Sequence, residues 1–452
     1  MAGCRGKTCV FPCHPERAPL VAGSFEDAAP HSQVLSARSD PHNAGWSALP
    51  DHSSMTSGEL EESSASRRAG TGAPHVSGGK LTGCLARGVT YSGFMQEQTA
   101  PFCSQPWTTL YVQWDGKVTR PCIRGPQNLG SLETYADIRD LWNGAAMQNV
   151  RSAVATQTNL NLACRTCHAA RSRTIDHLTS FGRNIGGDFG YDKVANYYDV
   201  HDSWQAGQIA PETGPIVLVL DMSSKCHIRC QKCFVYHSDM QYGLGHMPDA
   251  VFDKVRPLFR TALEVIGHEN GECMLHKRFI DMVTEIKANG CRFMFNTTGQ
   301  LIDDEKARQL VALGVDKIML SIDATEAETY AYLHKGGTLE KVMSGIAAIN
   351  REKTLAGVTQ PRLGWYFVAC RSNIDQLVPA ARLAVSLGFG MMFVTHLNKP
   401  TGEQWRSYFD FYRQESLHLD PELKARYADA VEEARAVTVA AGLEFFSGSP
   451  DA

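Results

Sequence analysis

The sequence predicts an α/β protein built on a parallel sheet, and three observations favour this fold class. From Pro215 onward, short apolar runs alternate with amphipathic segments, as strands and helices do in βα units. Six such units of similar spacing imply a parallel sheet whose outer face is covered by helices. A hydrophobic content of 43% over 452 residues supports a core large enough for that arrangement.

Apolar runs bounded by turn signals define the strands, and apolar residues at helical spacing define the helices between them. Asp303 can cap a helix that ends near Gly314, and Pro421 begins a last amphipathic helix that runs to Val437. The predicted strands are Ile216–Leu220, Leu263–Ile266, Arg292–Asn296, Lys317–Ile322, Leu363–Ala369 and Met391–Thr395.

The composition changes along the chain and indicates five parts. Residues 1–95 are rich in Ser, Gly, Ala and Pro without a sustained hydrophobic period, which predicts a poorly ordered tail. Residues 96–171 predict a small cysteine-rich α+β module with a hairpin turn at Asp115-Gly116. A linker over 172–212, the βα units over 213–400 and a helical segment over 401–452 follow.

Charge and hydropathy exclude several classes of function. The net charge is −4 with no long basic run, so nucleic acid and anionic membranes are not expected partners. No apolar stretch reaches the ~20 residues that a membrane-spanning helix needs. The N-terminus lacks the apolar core of a secretory signal. We therefore expect a cytoplasmic protein. In that compartment, fourteen cysteines indicate metal ligands and free thiols rather than disulfides.

The most informative motif follows the first predicted strand, where Cys226, Cys230 and Cys233 have the spacing C-x3-C-x2-C. Three thiolates can hold three irons of a 4Fe–4S cubane and leave the fourth iron open, whereas a fourth thiolate would make a closed electron carrier. A structural zinc site is the alternative interpretation, although zinc prefers paired C-x2-C units with four ligands.

This motif, placed after the extended segment Ile216–Met222, resembles the signature of the radical S-adenosylmethionine (radical SAM) enzymes. The resemblance implies a partial (β/α)6 barrel with a 4Fe–4S cluster whose open iron binds S-adenosylmethionine. An electron from a reductant such as flavodoxin or ferredoxin would then release a 5′-deoxyadenosyl radical, so that the cofactor carries the chemistry and the protein positions it.

Polar residues follow the predicted strands at the end where βα barrels gather their reactive groups. Asn270-Gly271-Glu272 resembles the family motif that meets the amino group of S-adenosylmethionine, with a carboxylate suited to an ammonium. Asn296 resembles the family's Asn-Gly turn, and Ser321 and Asp323 resemble its ribose-contacting strand end. Helix caps or structural hydrogen bonds are the alternative roles of these side chains. Lys232 stands where the family often has an aromatic residue near the adenine.

A second cysteine set, comprising Cys103, Cys122, Cys164 and Cys167, resembles the SPASM/Twitch auxiliary-cluster module. The module usually follows the barrel, whereas here it precedes it. Four cysteines suffice for one closed auxiliary 4Fe–4S cluster, and structural zinc is again the alternative. The auxiliary cluster could accept or relay an electron, or brace a substrate wall.

The fate of the substrate radical determines the reaction. Donation of hydrogen from a thiol gives epimerisation, with Cys370 as first candidate donor and Cys273 as second; loss of an electron and a proton gives dehydrogenation. We expect a small carbohydrate-like substrate, in natural-product or antibiotic biosynthesis. The alternatives are a peptide-modifying maturase of the ribosomal-peptide or sulfatase type and, outside enzymes, a zinc-stabilised binding protein.

Overall fold

The computed structural model describes residues 103–119, 128–158, 160, 164, 177–182, 185–233, 237, 243–267, 270–397, 399 and 406–448. The predicted tail over 1–95 lies outside these residues, as do Cys122 and Cys167. All of the described residues belong to the compact unit that spans Val89–Ala452.

A ten-stranded sheet organises this unit. Its order is β12-β11-β10-β8-β7-β6-β4-β1-β2-β3, and β5 and β9 form a separate two-stranded sheet. The strands are β1 (Thr109–Val112), β2 (Lys117–Thr119), β3 (Asn128–Ser131), β4 (Val217–Leu220), β5 (Arg229–Cys230), β6 (Glu264–Gly267), β7 (Arg292–Thr297), β8 (Lys317–Ser321), β9 (His334–Lys335), β10 (Arg362–Ala369), β11 (Met391–His396) and β12 (Glu444–Ser447).

All pairings from β12 through to β1 are parallel, and only the β1–β2 and β2–β3 pairings within this sheet are antiparallel. The six predicted strands correspond to β4, β6, β7, β8, β10 and β11, which confirms the α/β class with its parallel βα units. Consecutive parallel strands require crossover helices, which cover the sheet and bury its apolar residues.

Helices of the described chain are α1 (Gln105–Thr108), α2 (Ile138–Trp142), α3 (Ala145–Thr156), α4 (His177–Gly182), α5 (Ile185–Asp188), α6 (Tyr191–Gln205), α7 (Asp249–Val255), α8 (Phe279–Ala288), α9 (Asp304–Ala312), α10 (Ala327–Leu333), α11 (Leu339–Ala356), α12 (Leu377–Ser386), α13 (Arg406–Glu415) and α14 (Pro421–Ala440). Asp303 caps α9 by accepting a hydrogen bond from the Lys306 amide, as the sequence predicts. Leu423, Tyr427 and Val431 form the buried face of α14.

The N-terminal hairpin extends the barrel sheet directly. β1 lies parallel to β4 with Thr109 opposite Val217, and Gly116 turns the chain into β2 with φ of +82°. Leu110, Val112 and Trp142, all fully buried, join the same apolar core as the barrel strands. The cysteine-rich segment therefore adds to the open edge of the sheet beside β4.

Two elements differ from the sequence-based expectation. The segment predicted as a linker over 172–212 contains α6, whose Lys193, Tyr197 and Val200 are buried. The C-terminal segment, predicted as helical, adds the edge strand β12 alongside β11. No helix in the described part of the chain is long and apolar enough to cross a membrane.

Candidate active site

A cavity of ≈ 220 Å³ opens at the carboxyl ends of β4, β6, β7 and β8 and reaches a side chain of β10. This is the end of the sheet at which βα barrels assemble reactive groups. The cavity is lined by Asp221, Met222, Gly267, Asn270, Gly271, Cys273, Asn296, Thr297, Thr298, Ser321 and Tyr366. Three of the predicted cofactor-binding residues, Gly271, Asn296 and Ser321, thus lie around one space.

The loop with Cys226, Cys230 and Cys233 follows β4 directly, and all three thiols are partly exposed. The Cys233 amide donates to the carbonyl of Cys230 at 3.1 Å, which closes a tight turn between the second and third cysteines. Burial raises the pKa of Cys226 to about 11, so the thiol is neutral in the metal-free protein.

The donor set of this loop fits a cubane. No three His, Cys, Asp or Glu side chains of the described residues are grouped closely enough to hold one metal ion. A cubane takes one thiolate on each of three irons and leaves the fourth iron open, and three is the number of thiols that this loop supplies.

Gly271 joins the cavity wall to the cysteine loop. It has φ of +73°, and a Cβ built on it would lie 2.4 Å from the carbonyl carbon of Ser224 and 2.5 Å from the carbonyl oxygens of Ser223 and Lys225. The next amide, that of Glu272, donates to Lys225 at 2.8 Å. Only glycine accommodates both the backbone angle and this close approach to the segment that enters Cys226.

The structure orients Glu272 differently from the expectation. Its side chain is fully buried and does not line the cavity. One carboxylate oxygen accepts from the Thr297 hydroxyl at 2.9 Å and from the Thr298 amide and hydroxyl at 2.9 and 3.0 Å. Burial raises the pKa of Glu272, although the bonds from Thr298 and Thr297 offset part of this effect. Glu272 thus couples the loop after β6 to the end of β7.

Glu272→Ala is therefore expected to lower the free energy of unfolding of the cofactor-free protein by about 3 kcal/mol, because buried donors lose their acceptor. Glu272→Gln keeps an acceptor oxygen and should lose less than half as much. Urea unfolding of the cofactor-free variants measures both values. An unchanged urea midpoint in Glu272→Ala, with weakened S-adenosylmethionine binding, would instead indicate a direct cofactor contact.

Asp323, predicted to lie beside the ribose, is directed at protein groups in the structure. It is fully buried and absent from the cavity lining. Its carboxylate bonds to the Lys232 ammonium and to His334 Nε2 at 2.5 Å, and accepts from the Val368 amide at 2.7 Å. Burial alone would raise the pKa of Asp323, but the charges of Lys232 and His334 lower it to about 2.

The two candidate thiol donors lie in different surroundings. Cys273 lines the cavity, and burial raises its pKa well above the ordinary value, so the thiol stays protonated. Cys370 is 1% exposed and packs instead in an apolar cluster with Leu397, Tyr408 and other residues beside α13. The structure does not bring Cys370 to the cavity.

Of the second cysteine set, Cys103 and Cys164 are described and both are partly exposed. Cys103 precedes α1 and β1, and it packs against an apolar cluster that includes Trp107, Ile216 and Leu263. Ile216 and Leu263 immediately precede β4 and β6. Cys103 therefore lies near the amino ends of the parallel strands, away from the cavity.

Two family models match the segments of the chain that contain the two cysteine sets. The Radical SAM superfamily model matches residues 220–359, and the SPASM iron–sulfur cluster-binding domain model matches residues 103–168. The two domains imply a 4Fe–4S cluster, S-adenosylmethionine and an auxiliary iron–sulfur cluster. The second match favours iron–sulfur over the zinc alternative for the N-terminal module.

Curated relatives match only part of their length. A tungsten-containing aldehyde ferredoxin oxidoreductase cofactor-modifying protein of Pyrococcus furiosus is 31% identical over 41% of this chain and 53% of its own length. A GTP 3′,8-cyclase of Geobacter sulfurreducens is 25% identical over 42% of this chain and 58% of its own length. The matches thus span about half of these relatives.

Among solved structures, Streptococcus suis SuiB bound to S-adenosylmethionine aligns with a TM-score of 0.41 and 13% identity, over 75% of this chain and 71% of SuiB. The three-cysteine loop, the parallel βα sheet and the two family-model matches support one assignment. The chain contains a radical SAM domain over residues 220–359 and, ahead of it in sequence, a SPASM iron–sulfur cluster-binding domain over residues 103–168.

Proposed function

We propose that this enzyme abstracts hydrogen from a carbon atom of a small, sugar-containing molecule and epimerises that carbon. The observation that carries the proposal is the cavity, which combines hydroxyl and amide side chains, the Asp221 carboxylate and the Cys273 thiol. When bound, the cluster and S-adenosylmethionine supply a 5′-deoxyadenosyl radical. Cys226, Cys230 and Cys233 would hold the cluster, and an external one-electron reductant would supply the electron.

The residues proposed to bind S-adenosylmethionine are those that line the cavity. Gly271 brings backbone close to the cysteine loop, and Asn296 and Ser321 add polar side chains at the ends of β7 and β8. Glu272 and Asp323 support the neighbouring loops through buried hydrogen bonds. The cofactor would thus meet polar side chains of the lining residues, while the carboxylates of Glu272 and Asp323 stay buried.

An aromatic row supports the substrate class. Tyr366 lies opposite Ser321 on one side and Phe393 on the other, and Phe393 lies opposite Phe446 on β12. The Tyr366 and Phe393 rings stack at 5.1 Å between centroids, and Phe393 and Phe446 follow at 6.3 Å. Tyr366 lines the cavity and Phe446 is 47% exposed. Tyr366, at the cavity end of this row, offers an aromatic surface to a molecule bound there.

The names of the curated relatives also favour a small molecule over a peptide. One relative is named for modifying a cofactor and several are named for GTP, which contains a ribose. A sugar-containing substrate agrees with these names and with the aromatic side of the cavity at Tyr366.

Cys273 is proposed as the hydrogen donor. Transfer of a hydrogen atom from its thiol to a carbon radical forms a C–H bond and leaves a sulfur radical, which one electron and one proton restore. The electron comes from the external reductant and the proton from solvent. The alternative, dehydrogenation, would instead remove an electron and a proton from the carbon radical, with the auxiliary cluster as electron acceptor.

Turnover in deuterated water tests this assignment, with nucleoside diphosphate sugars, free aminosugars and GTP as probes. The wild type is expected to place solvent deuterium at an inverted carbon. Cys273→Ala should lose inversion, because the carbon radical then has no thiol among the described lining residues from which to take hydrogen, while 5′-deoxyadenosine still forms. Cys370→Ala is the matched control and should invert normally.

Three results would overturn parts of this proposal. Normal inversion by Cys273→Ala, with loss in Cys370→Ala, would transfer the donor role to Cys370. A product two hydrogens lighter and without solvent deuterium would establish dehydrogenation. Product from a peptide panel, with none from any sugar-containing probe, would establish a peptide-modifying maturase.

The auxiliary cluster is proposed to relay electrons rather than to contact substrate. β1 separates Cys103 from the carboxyl end of the sheet, and its four residues span roughly 13 Å. A cluster bound at Cys103 would therefore lie toward the end of the sheet opposite the cavity. This position suits exchange with a reductant at the protein surface better than bracing a substrate wall.

A further inference from the structure

The second cysteine of the loop is anchored by a two-stranded sheet of its own. β5 and β9 pair antiparallel with Cys230 opposite His334. The Gln231 amide donates to the Leu333 carbonyl at 2.9 Å, which continues the same connection. Two segments separated by about a hundred residues of sequence thus fix the backbone at Cys230, and a local sequence pattern contains no signal for this pairing.

Side chains continue this anchor into the protein. His334 is fully buried, and its Nδ1 lies 3.3 Å from the sulfur of Cys230 while its Nε2 bonds to Asp323 at 2.5 Å. The ring of Tyr330 stacks on the imidazole at 4.4 Å between centroids and 6° between planes. The imidazole is therefore held at both nitrogens and over its face.

Lys232 closes the network from inside the cysteine loop. It lies between Cys230 and Cys233 in sequence, and its ammonium bonds to the same Asp323 oxygen as His334. Its side chain is 13% exposed and that of Asp323 is fully buried. A buried carboxylate of this kind is stable only with its charge and hydrogen-bond partners in place.

We propose that Lys232, Asp323 and His334 form a brace that positions the Cys230 sulfur for cluster binding, and that these three side chains do not bind S-adenosylmethionine. The inference rests on the proposed cluster ligands Cys226, Cys230 and Cys233. All three members of the brace are positioning residues, because they act on the cluster through Cys230. Groups that orient a metal ligand typically change metal retention when they are removed.

The position of the brace favours this role over cofactor recognition. The Asp323 oxygens point to Lys232, His334 and the Val368 amide, and none of the three brace residues lines the cavity. Lys232 stands where the family often has an aromatic residue, and its ammonium pairs with the Asp323 carboxylate. Lys232 and Asp323 therefore both serve to hold the loop in place.

Three variants of the full-length protein, reconstituted anaerobically, test the brace. Asp323→Asn and Lys232→Met should release iron to a ferrous chelator about 10–100-fold faster than the wild type, as for other groups that orient metal ligands. Lys232→Arg keeps the charge and should release iron at close to the wild-type rate. Lys306→Met, which removes a surface ion pair with Asp303, is the matched control and should leave the rate unchanged.

Two further readouts separate positioning from general destabilisation. The midpoint potential of the S-adenosylmethionine-binding cluster, followed by its electron paramagnetic resonance signal, should shift in Asp323→Asn and stay unchanged in Lys306→Met. The Kd for S-adenosylmethionine of variants that retain the cluster should stay near the wild-type value. If Asp323→Asn or Lys232→Met does not fold, the double variant Lys232→Met/Asp323→Asn removes both charges together and carries the same test.

Wild-type iron release and potential in Asp323→Asn would overturn the brace. A Kd for S-adenosylmethionine raised tenfold or more at normal iron content would instead assign Asp323 to cofactor binding, and would also overturn it. Failure of the cluster assignment itself gives a different result. If Cys226, Cys230 and Cys233 do not hold the cluster, the protein lacking all three thiols keeps its full iron content.

Discussion

Gly271→Ala is expected to lower the free energy of unfolding by about 2–5 kcal/mol and to abolish 5′-deoxyadenosine formation. About 1–2 kcal/mol arises from placing a side chain at φ of +73°. A further 1–3 kcal/mol, roughly, arises from overlap of the new Cβ with the backbone of residues 223–225. Because these atoms lead directly into Cys226, relief of the overlap displaces the first cluster ligand.

Gly388→Ala is the matched control for this prediction. Gly388 also has φ of +73°, but a Cβ built there meets no atom within 4 Å. The variant should therefore lose only the conformational part, about 1–2 kcal/mol, and should keep full S-adenosylmethionine cleavage. Urea unfolding and 5′-deoxyadenosine formation by both variants measure the difference. Equal loss of stability, with cleavage retained in Gly271→Ala, would contradict a close approach at Gly271.

Much of the barrel could be predicted from the sequence because its signals are local. The apolar runs that begin near Ile216 and Leu363 became parallel strands, and the Asp303 cap begins α9. The position of polar residues after the strands also located the cavity, since parallel strands bring their carboxyl ends to one edge. Gly271, Asn296 and Ser321 meet there.

The orientation of the two acidic side chains could not be predicted, because it depends on partners distant in sequence. Glu272 turns toward Thr297 and Thr298, which reach it only through the β6–β7 pairing. Asp323 bonds to Lys232, 91 residues away. A motif of three residues reveals that a carboxylate stands near a strand end, but not which neighbour it faces.

Sequence-based prediction missed secondary structure where polar and apolar residues follow no clear period. α6 has polar residues on its buried face, among them Lys193, whose ammonium lies 2.5 Å from the Phe259 carbonyl. β12 is an edge strand of four residues with alternating exposure, too short for a periodic signal. β5 and β9, two residues each, exist only because the cysteine loop meets the end of α10. Tertiary contacts rather than local propensity determine such elements.

Removing all three loop thiols should have the largest effect on activity. Cys226→Ala/Cys230→Ala/Cys233→Ala is expected to retain the auxiliary cluster, so iron should fall from about eight to about four per chain, with sulfide falling in parallel. No cluster then remains to bind S-adenosylmethionine, and 5′-deoxyadenosine formation should become undetectable. Cys103→Ser/Cys164→Ser is the matched control: with two of its four thiols removed, the auxiliary cluster should lose its irons, about four per chain, while the protein still cleaves S-adenosylmethionine.

The most direct measurement is therefore 5′-deoxyadenosine formation under reducing, anaerobic conditions by the wild type, the triple variant and Cys103→Ser/Cys164→Ser, with iron and sulfide counted on the same samples. We predict cleavage by the wild type and by Cys103→Ser/Cys164→Ser, and none by the triple variant. Cleavage at the wild-type rate by the protein without Cys226, Cys230 and Cys233 would contradict the assignment of these thiols as ligands of the S-adenosylmethionine-binding cluster.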